Sequence, residues 1–240
     1  LELGFGRTVT IAGTNSNSPL TGGNFVRSFF GIVSPSIKSS PGDNHSEMDW
    51  TFNVPKVRNY MVLYGDSYSD DDGLPIQNPA RNPWHPGIYL TRIPGIPKLD
   101  FHVQGVSTEI GTLAHSNVNS GRMNYYNGDY PDGYTNGGNI IGNTVGREGR
   151  AIRYWFTYWI SPQNTVGFSY QHNTVSRDFI PQGGSWQDYG LRNEFRLRSG
   201  FYVKAALQIE HISRFPVLFS GPTNNVTAIL EVGFSPGSKR

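Results

Sequence analysis

Cysteine is absent from the 240 residues. That excludes a disulfide scaffold and any thiolate metal site or cysteine nucleophile, and it suits an oxidising compartment. Charge is scarce: 16% of residues are charged, and the formal net charge is +2. No strong field is available to gather nucleic acid or acidic substrates, so no nucleic-acid partner is expected. No run of about 18 apolar residues occurs, which excludes a transmembrane helix. The mean hydropathy of −0.43 leaves a membrane barrel open, because only alternate residues of its strands meet lipid. Helical periodicity is also missing from the long segments.

What is present is aromatic and turn-forming. Aromatics make up 13% of the chain, with 29 glycines and 16 prolines. That mixture fits many strands joined by turns. Period-two alternation is clearest late in the chain. Tyr189, Leu191, Phe195 and Leu197 oppose Arg192, Glu194, Arg196 and Arg198, with Asn193 as a polar exception on the apolar side. Phe201, Val203, Ala205, Leu207 and Ile209 oppose Tyr202, Lys204, Gln208 and Glu210. Val226, Ala228, Leu230, Val232 and Phe234 oppose Thr227, Glu231 and Gly233. Residues 166–173 and 98–108 alternate in the same way. Residues 151–161 carry aromatics on both faces. About ten strands are predicted, with one helix over residues 22–31, capped by Thr21 and carrying Phe25, Phe29 and Phe30 on one side.

The connections alternate in length. Pro55-Lys56, residues 95–97, Pro162-Gln163 and Ser199-Gly200 are short turns. Residues 13–46, 67–86, 109–150, 174–187 and 212–224 are long loops. Outer-membrane barrels show this pattern, with short periplasmic turns and long extracellular loops. A soluble β-sandwich also alternates, but its polar face meets water and favours Lys, Glu, Ser and Thr. Here the polar faces hold Arg, Glu, Tyr, Gln and Gly, and the five clean strands keep charge off the apolar face, where Arg or Lys at mid-membrane costs about 2–4 kcal/mol. The expected fold is an all-β, antiparallel transmembrane barrel contacting outer-membrane lipid. Arg192, Glu194, Arg196, Lys204, Glu210 and Glu231 are expected to project into its lumen as a paired network. Leu1 already sits in a strand-like run, so residues 1–240 are expected to be the C-terminal part of one barrel domain.

Several segments stand out beyond the strand pattern: Asp49-Trp50-Thr51-Phe52, Leu63-Tyr64-Gly65-Asp66, His85-Pro86-Gly87-Ile88-Tyr89, residues 132–137 with Ile141-Gly142-Asn143, Trp159-Ile160-Ser161-Pro162, Arg192-Asn193-Glu194 and residues 228–234. Together these segments resemble the Wzi family of capsule-assembly proteins. The resemblance implies an outer-membrane barrel of roughly eighteen strands, an even count as such barrels require, of which about ten would lie here. It also implies a monomeric, non-enzymatic surface protein whose partner is capsular polysaccharide. One departure is the tail after Phe234, residues 235–240, which leaves the last aromatic internal. The rival function is a porin or transport channel.

No complete catalytic set, cofactor site or metal site is read from the sequence. Gly65-Asp66-Ser67 is similar to an esterase nucleophile block, but His172 and His211 lack the closely preceding Asp that such a base requires. Asp70, Asp71 and Asp72 offer oxygens to calcium without EF-hand spacing, and read as a solvated loop tip. Asp129 and Asp132 read as turn formers. The glycines at 137, 138, 142, 146 and 149 lack the Lys-Ser/Thr of a phosphate loop. The best binding candidate is the loop holding Tyr125, Tyr126, Tyr130 and Tyr134 among Asn, Asp and Gly, with Trp84 and Trp186 in or beside other long loops. Aromatic faces stack on the C–H faces of sugars while neighbouring amides and carboxylates bind hydroxyls. The alternative role for these aromatics is loop packing or an interfacial girdle.

Overall fold

The computed structural model describes residues 1–10, 21–29, 43–57, 59–70, 74–77, 79–110, 124–126, 134–136, 139–197, 200–214 and 221–235. In chain order the strands are β1 (Glu2–Thr10), β2 (Asp43–Asn53), β3 (Met61–Asp70), β4 (Trp84–Leu90), β5 (Leu99–Ser107), β6 (Thr135–Asn136), β7 (Asn139–Ile140), β8 (Gly149–Ser161), β9 (Asn164–Val175), β10 (Gly184–Arg196), β11 (Phe201–Arg214) and β12 (Thr223–Phe234). One helix, α1 (Gly22–Phe29), and a 3-10 turn at Pro75–Gln77 complete the described elements. The α1 start matches expectation: the Phe25 N–H donates to the Thr21 carbonyl at 2.9 Å. The side chain of Phe29, and Phe30, lie outside what is described.

Ten strands form one sheet in the order β1-β2-β3-β4-β5-β8-β9-β10-β11-β12, and β6 pairs with β7 separately. The strand number agrees with the alternation count. The pairings of β1 with β2 and of β10 with β9 and β11, like that of β11 with β12, are antiparallel. β1 and β12 end the order without joining, so the ten strands form an open sheet; the sequence predicts them as part of a larger barrel, not as a closed one by themselves. Several strands run longer than their periodicity indicates: β3 reaches Asp70, β10 begins at Gly184 and β11 continues to Arg214. Backbone pairing needs no apolar face, so ladders extend beyond the alternating stretch and shorten the loops.

The chain divides into two compact units. Unit 1 is Leu1–Thr51, Gly65–His85 and Val106–Arg150; unit 2 is Phe52–Tyr64, Pro86–Gly105 and Ala151–Arg240. In unit 2 the register sets Leu191 opposite Leu207 and Phe195 opposite Val203, while Glu194 faces Lys204. Lys204 in turn faces Glu231, and Val203 faces Val232. Asn193, the exception on the apolar face, accepts a hydrogen bond from the Ala205 N–H at 3.2 Å, so its amide oxygen is satisfied within the ladder. The tryptophans of β8 have a similar explanation. Trp159 donates its indole N–H to Asp100 at 2.6 Å, and Trp155 stacks on His102 at 4.5 Å, which places both on the polar side. Gly200 closes the β10–β11 turn at φ 87°, a conformation that only glycine adopts without cost.

Burial is inverted relative to a water-soluble domain. Among the described residues the buried hydrophobics are Ile110, Tyr125, Val145 and Ile212, against ten buried polar or charged residues. Leu191, Leu207, Val226, Leu230 and Val232 are all exposed, Leu230 at 71%. The described residues therefore hold no sandwich core over the Val/Leu/Phe face. No described helix is long and apolar enough to cross a membrane, a fact that says nothing about strands.

Candidate functional site

The site lies within unit 1, where β1, β2 and β3 meet Tyr125, Tyr134, Ile141 and Gly142. Register places Thr10 beside Asp43 and Thr8 beside His45, with Gly6 and Gly4 beside Glu47 and Asp49. Alternation then puts Asp43, His45, Glu47 and Asp49 on one face of β2, and Met48 and Trp50 on the other. Asp66 and Tyr68 of β3 line the same cavity, which also touches Thr8, Thr10, Tyr125, Tyr134, Ile141 and Gly142. Its volume is about 420 Å³. That lies within the ~300–1,000 Å³ typical of small-molecule sites.

The tyrosine wall is fixed from behind. Asn124, almost fully buried, donates from its amide to the Thr108 carbonyl at 2.5 Å. Thr108 in turn donates its hydroxyl to the Gly146 carbonyl at 2.7 Å, and accepts from the Gly149 N–H at 3.0 Å. The Ile110 N–H donates to the buried carboxylate of Glu148 at 3.3 Å. Tyr125 is thereby held at φ 57°, a left-handed conformation uncommon for an aromatic residue. Strained backbone of this kind persists where surroundings over-determine it, often at binding sites. The Asn143 N–H donates to the Tyr125 hydroxyl at 3.0 Å. A Cβ at Gly142 would overlap the Tyr125 ring, so only glycine admits the ring there. Burial pushes the Tyr125 phenol above its ordinary pKa, so the group stays neutral and hydrogen-bonding. Its ring lies 5.3 Å from Tyr68 and 6.2 Å from Tyr134.

Beside this wall sits a polar knot. Tyr134 donates its hydroxyl to Asp43 at 2.6 Å and also contacts His45 Nε2. His45 Nε2 lies 3.6 Å from Asp43 Oδ2 and 3.2 Å from Asp70 Oδ1. Asp70 is thus no solvated loop tip: it ends β3, its side chain is only 14% exposed, and pairing with His45 draws it inward. Asp71 and Asp72 lie outside the described residues.

Of the aromatics expected at a binding site, Tyr125 and Tyr134 come together at the cavity. Tyr126 instead lies under the Arg147 guanidinium, 5.2 Å from ring centroid to charge. Trp84 begins β4, and its indole donates to the Pro79 carbonyl at 2.8 Å. Trp186 is inside β10, opposite Asn173 and Ile212, because β10 starts earlier than the sequence indicates. Tyr130, Asp129 and Asp132 lie outside the described residues. Ser67 of the esterase-like block donates its hydroxyl to the Pro83 carbonyl at 2.6 Å, a structural contact, while His85 pairs with Asp66 at 3.0 Å. Sequence reasoning missed His45, Glu47 and Tyr68. The polar alternation of Asp43, His45, Glu47 and Asp49 carries that signal, but its first half falls in the long loop predicted over 13–46, and Tyr68 in that over 67–86.

The six charged residues expected to share a face do so in unit 2. Glu194, Lys204 and Glu231 form one cross-strand row, and Arg196, Arg192 and Glu210 share its parity. Arg196 pairs with Glu194 at 3.4 Å. Glu231 accepts from the Tyr202 hydroxyl at 2.9 Å, and Glu210 from the Asn225 amide at 2.7 Å.

An antiparallel, nearly helix-free sheet with exposed apolar strands and a tyrosine-lined cavity defines an all-β protein. The family model described as "Capsule assembly protein Wzi" matches residues 1–228, and the chain belongs to that family of outer-membrane capsule-assembly proteins. Comparison with curated proteins and with solved structures returned no match.

Proposed function

We propose that residues 1–240 are part of one transmembrane β-barrel domain in the bacterial outer membrane, and that the barrel binds capsular polysaccharide and anchors it without enzymatic action. The observation that carries the binding role is the cavity of unit 1. It combines the faces of Tyr68, Tyr125 and Tyr134 with the oxygens of Thr8, Glu47, Asp49 and Asp66. Sugars need both components, an aromatic platform for C–H faces and acceptors for hydroxyls. The membrane role is supported by the exposed apolar face of β10–β12, which lipid would cover. The charged row of Glu194, Lys204 and Glu231 would then face the lumen, and Trp84, Tyr126, Tyr130 and Trp186 would serve as outlying contacts or girdle aromatics.

The test uses the full-length protein in its own host. Deleting the gene should release polymer into the medium while synthesis continues. Tyr125→Ala and Glu47→Gln should each lower the cell-bound fraction, with normal heat-modifiable gel migration showing an intact barrel. Unchanged retention in both variants, with the deletion still defective, moves the sugar site elsewhere. Unchanged retention in the deletion strain ends the anchoring role. Large, stable single-channel currents in planar bilayers would favour a channel instead.

A further inference from the structure

We infer that the cleft walled by Arg177 and Arg214, where β9 and β11 end and β10 begins, binds the terminal phosphate of an outer-leaflet lipid headgroup. The cleft lies within unit 2 and encloses about 380 Å³. Thr174, Ser185 and Ser213 line it beside the two arginines, and no carboxylate does. Among the described residues neither guanidinium has an ion-pair partner; Arg214 donates to the neutral Gln182 carbonyl at 2.6 Å. Two cations at a cleft without a carboxylate favour an anion. Guanidinium forks match the oxygens of a phosphate, and a phosphomonoester offers three of them with nearly two charges.

Two local irregularities bring the arginines together. The β10–β11 register skips Ser213: Trp186 faces Ile212, but Ser185 faces Arg214. Regular alternation would keep Arg214 on the face of Ile212, and the bulge moves it to the face of Ser185. Arg177 is placed by the turn before β10. There the Ile180 N–H donates to the Ser176 carbonyl at 3.1 Å, and the Gly183 N–H to the Ile180 carbonyl at 2.6 Å. Gly183 has φ 62°, and a Cβ on it would lie 3.2 Å from Arg177 Cγ. Glycine therefore lets the arginine stem lie against the turn.

Position along the strands identifies the ligand. Pairing across β9, β10 and β11 aligns four rows on the Ser185 face. The first is Phe168, Leu191 and Leu207, all exposed. Tyr170, Tyr189 and Ile209 follow, then His172, Gln187 and His211, then Thr174, Ser185 and Arg214. The face thus grades from apolar through aromatic to polar and cationic, the order met on leaving a membrane. With about 3.3 Å of rise per residue and a tilt of ~45°, the Arg214 row stands roughly 9 Å beyond the tyrosines. Headgroups occupy that height. A ligand of the lumen would meet the other face, which carries Trp186 and Ile212. The inference rests on the proposed lipid contact of the apolar face, and the loop pattern assigns this end to the cell surface.

The experiment takes full-length protein in nanodiscs of phosphatidylcholine with equal minor fractions of phosphatidic acid, a phosphomonoester, and phosphatidylglycerol, a phosphodiester. Native mass spectrometry reads which lipid stays bound. Retention of phosphatidic acid over phosphatidylglycerol is expected. The preference should fall about 10-fold in Arg177→Gln/Arg214→Gln and stay unchanged in Arg92→Gln, which alters charge elsewhere. Heat-modifiable migration verifies folding. If the double variant does not fold, Arg177→Gln alone is read, and an undiminished preference there overturns the site. Equal retention of the two anionic lipids, or the same preference in the folded double variant, also overturns it. So does displacement of the lipid by an equal concentration of inorganic phosphate, or of trigalacturonate, which would make the ligand a soluble anion or an acidic saccharide. A protein that does not enter the nanodisc removes the membrane reading and this site with it; one that enters without preference removes the site alone.

Discussion

Among the described residues, most of the buried side chains of unit 1 are polar, including Asp43, His45, Ser69, Asn82, Asn124 and Glu148, with Ile110 and Val145 as apolar companions. In unit 2 the same sheet chemistry leaves Leu191, Leu207, Val226, Leu230 and Val232 exposed along three consecutive strands. Both arrangements depart from a soluble domain, in which apolar residues fill the interior. Unit 1 invests in hydrogen bonds that hold a segment of irregular backbone in one conformation, and unit 2 in a regular ladder with an uncovered apolar face. A precise binding wall requires the first; insertion in lipid requires the second. Under the proposed function the difference separates recognition from anchorage, and each should be open to perturbation without the other.

The largest effect is expected on the apolar face. Leu230→Arg should destabilise the folded protein by about 2–4 kcal/mol if that face meets lipid. An exposed site on a water-soluble sheet would move by only about 0.5 kcal/mol. Gln208→Arg, on the opposite face, is the control and should be near neutral. Urea titration of folding into phospholipid vesicles measures both. Equal effects of the two substitutions would remove the lipid assignment.

Next come the supports of the tyrosine wall. Asn124→Ala strips the partner from the Thr108 carbonyl and should cost about 1–3 kcal/mol. Because regions open semi-independently, most of that loss should appear as faster hydrogen exchange at residues 124–126 and 143–149, with β10–β12 unchanged. Uniform acceleration across β10–β12 would show one cooperative body and weaken the contrast. Gly142→Ala should cost about 1–3 kcal/mol through overpacking against Tyr125. It should also lower polysaccharide retention while leaving heat-modifiable migration normal.

The smallest effect is expected for Arg196→Ala. The Arg196–Glu194 pair is half exposed at 3.4 Å, and such pairs contribute about 0–1 kcal/mol. A loss well beyond that range in the same urea titration would mean that the charged face is enclosed and dry, which would favour a narrow lumen.

The alternation of β10, β11 and β12 is written in the residues themselves. Period two assigns faces, short turns join chain neighbours, and antiparallel register follows from both. For the same reason the shared parity of Arg192, Glu194, Arg196, Lys204, Glu210 and Glu231 was legible before any coordinates. Tyr125 and Tyr134 were legible as binding candidates by residue type, though not the separation of Tyr126, Trp84 and Trp186 from them. The polar knot was not legible at all. Tyr134 and Asp43 lie 91 residues apart, and Tyr134 and His45 lie 89 apart. Contacts at that range leave no periodic trace, because they arise only when strand pairing and loop closure bring remote segments together against chain entropy. The sequence by itself determined which side chains share a face; the tertiary structure decided which of those faces converge on a cavity, and why a single imidazole nitrogen there has three oxygens around it.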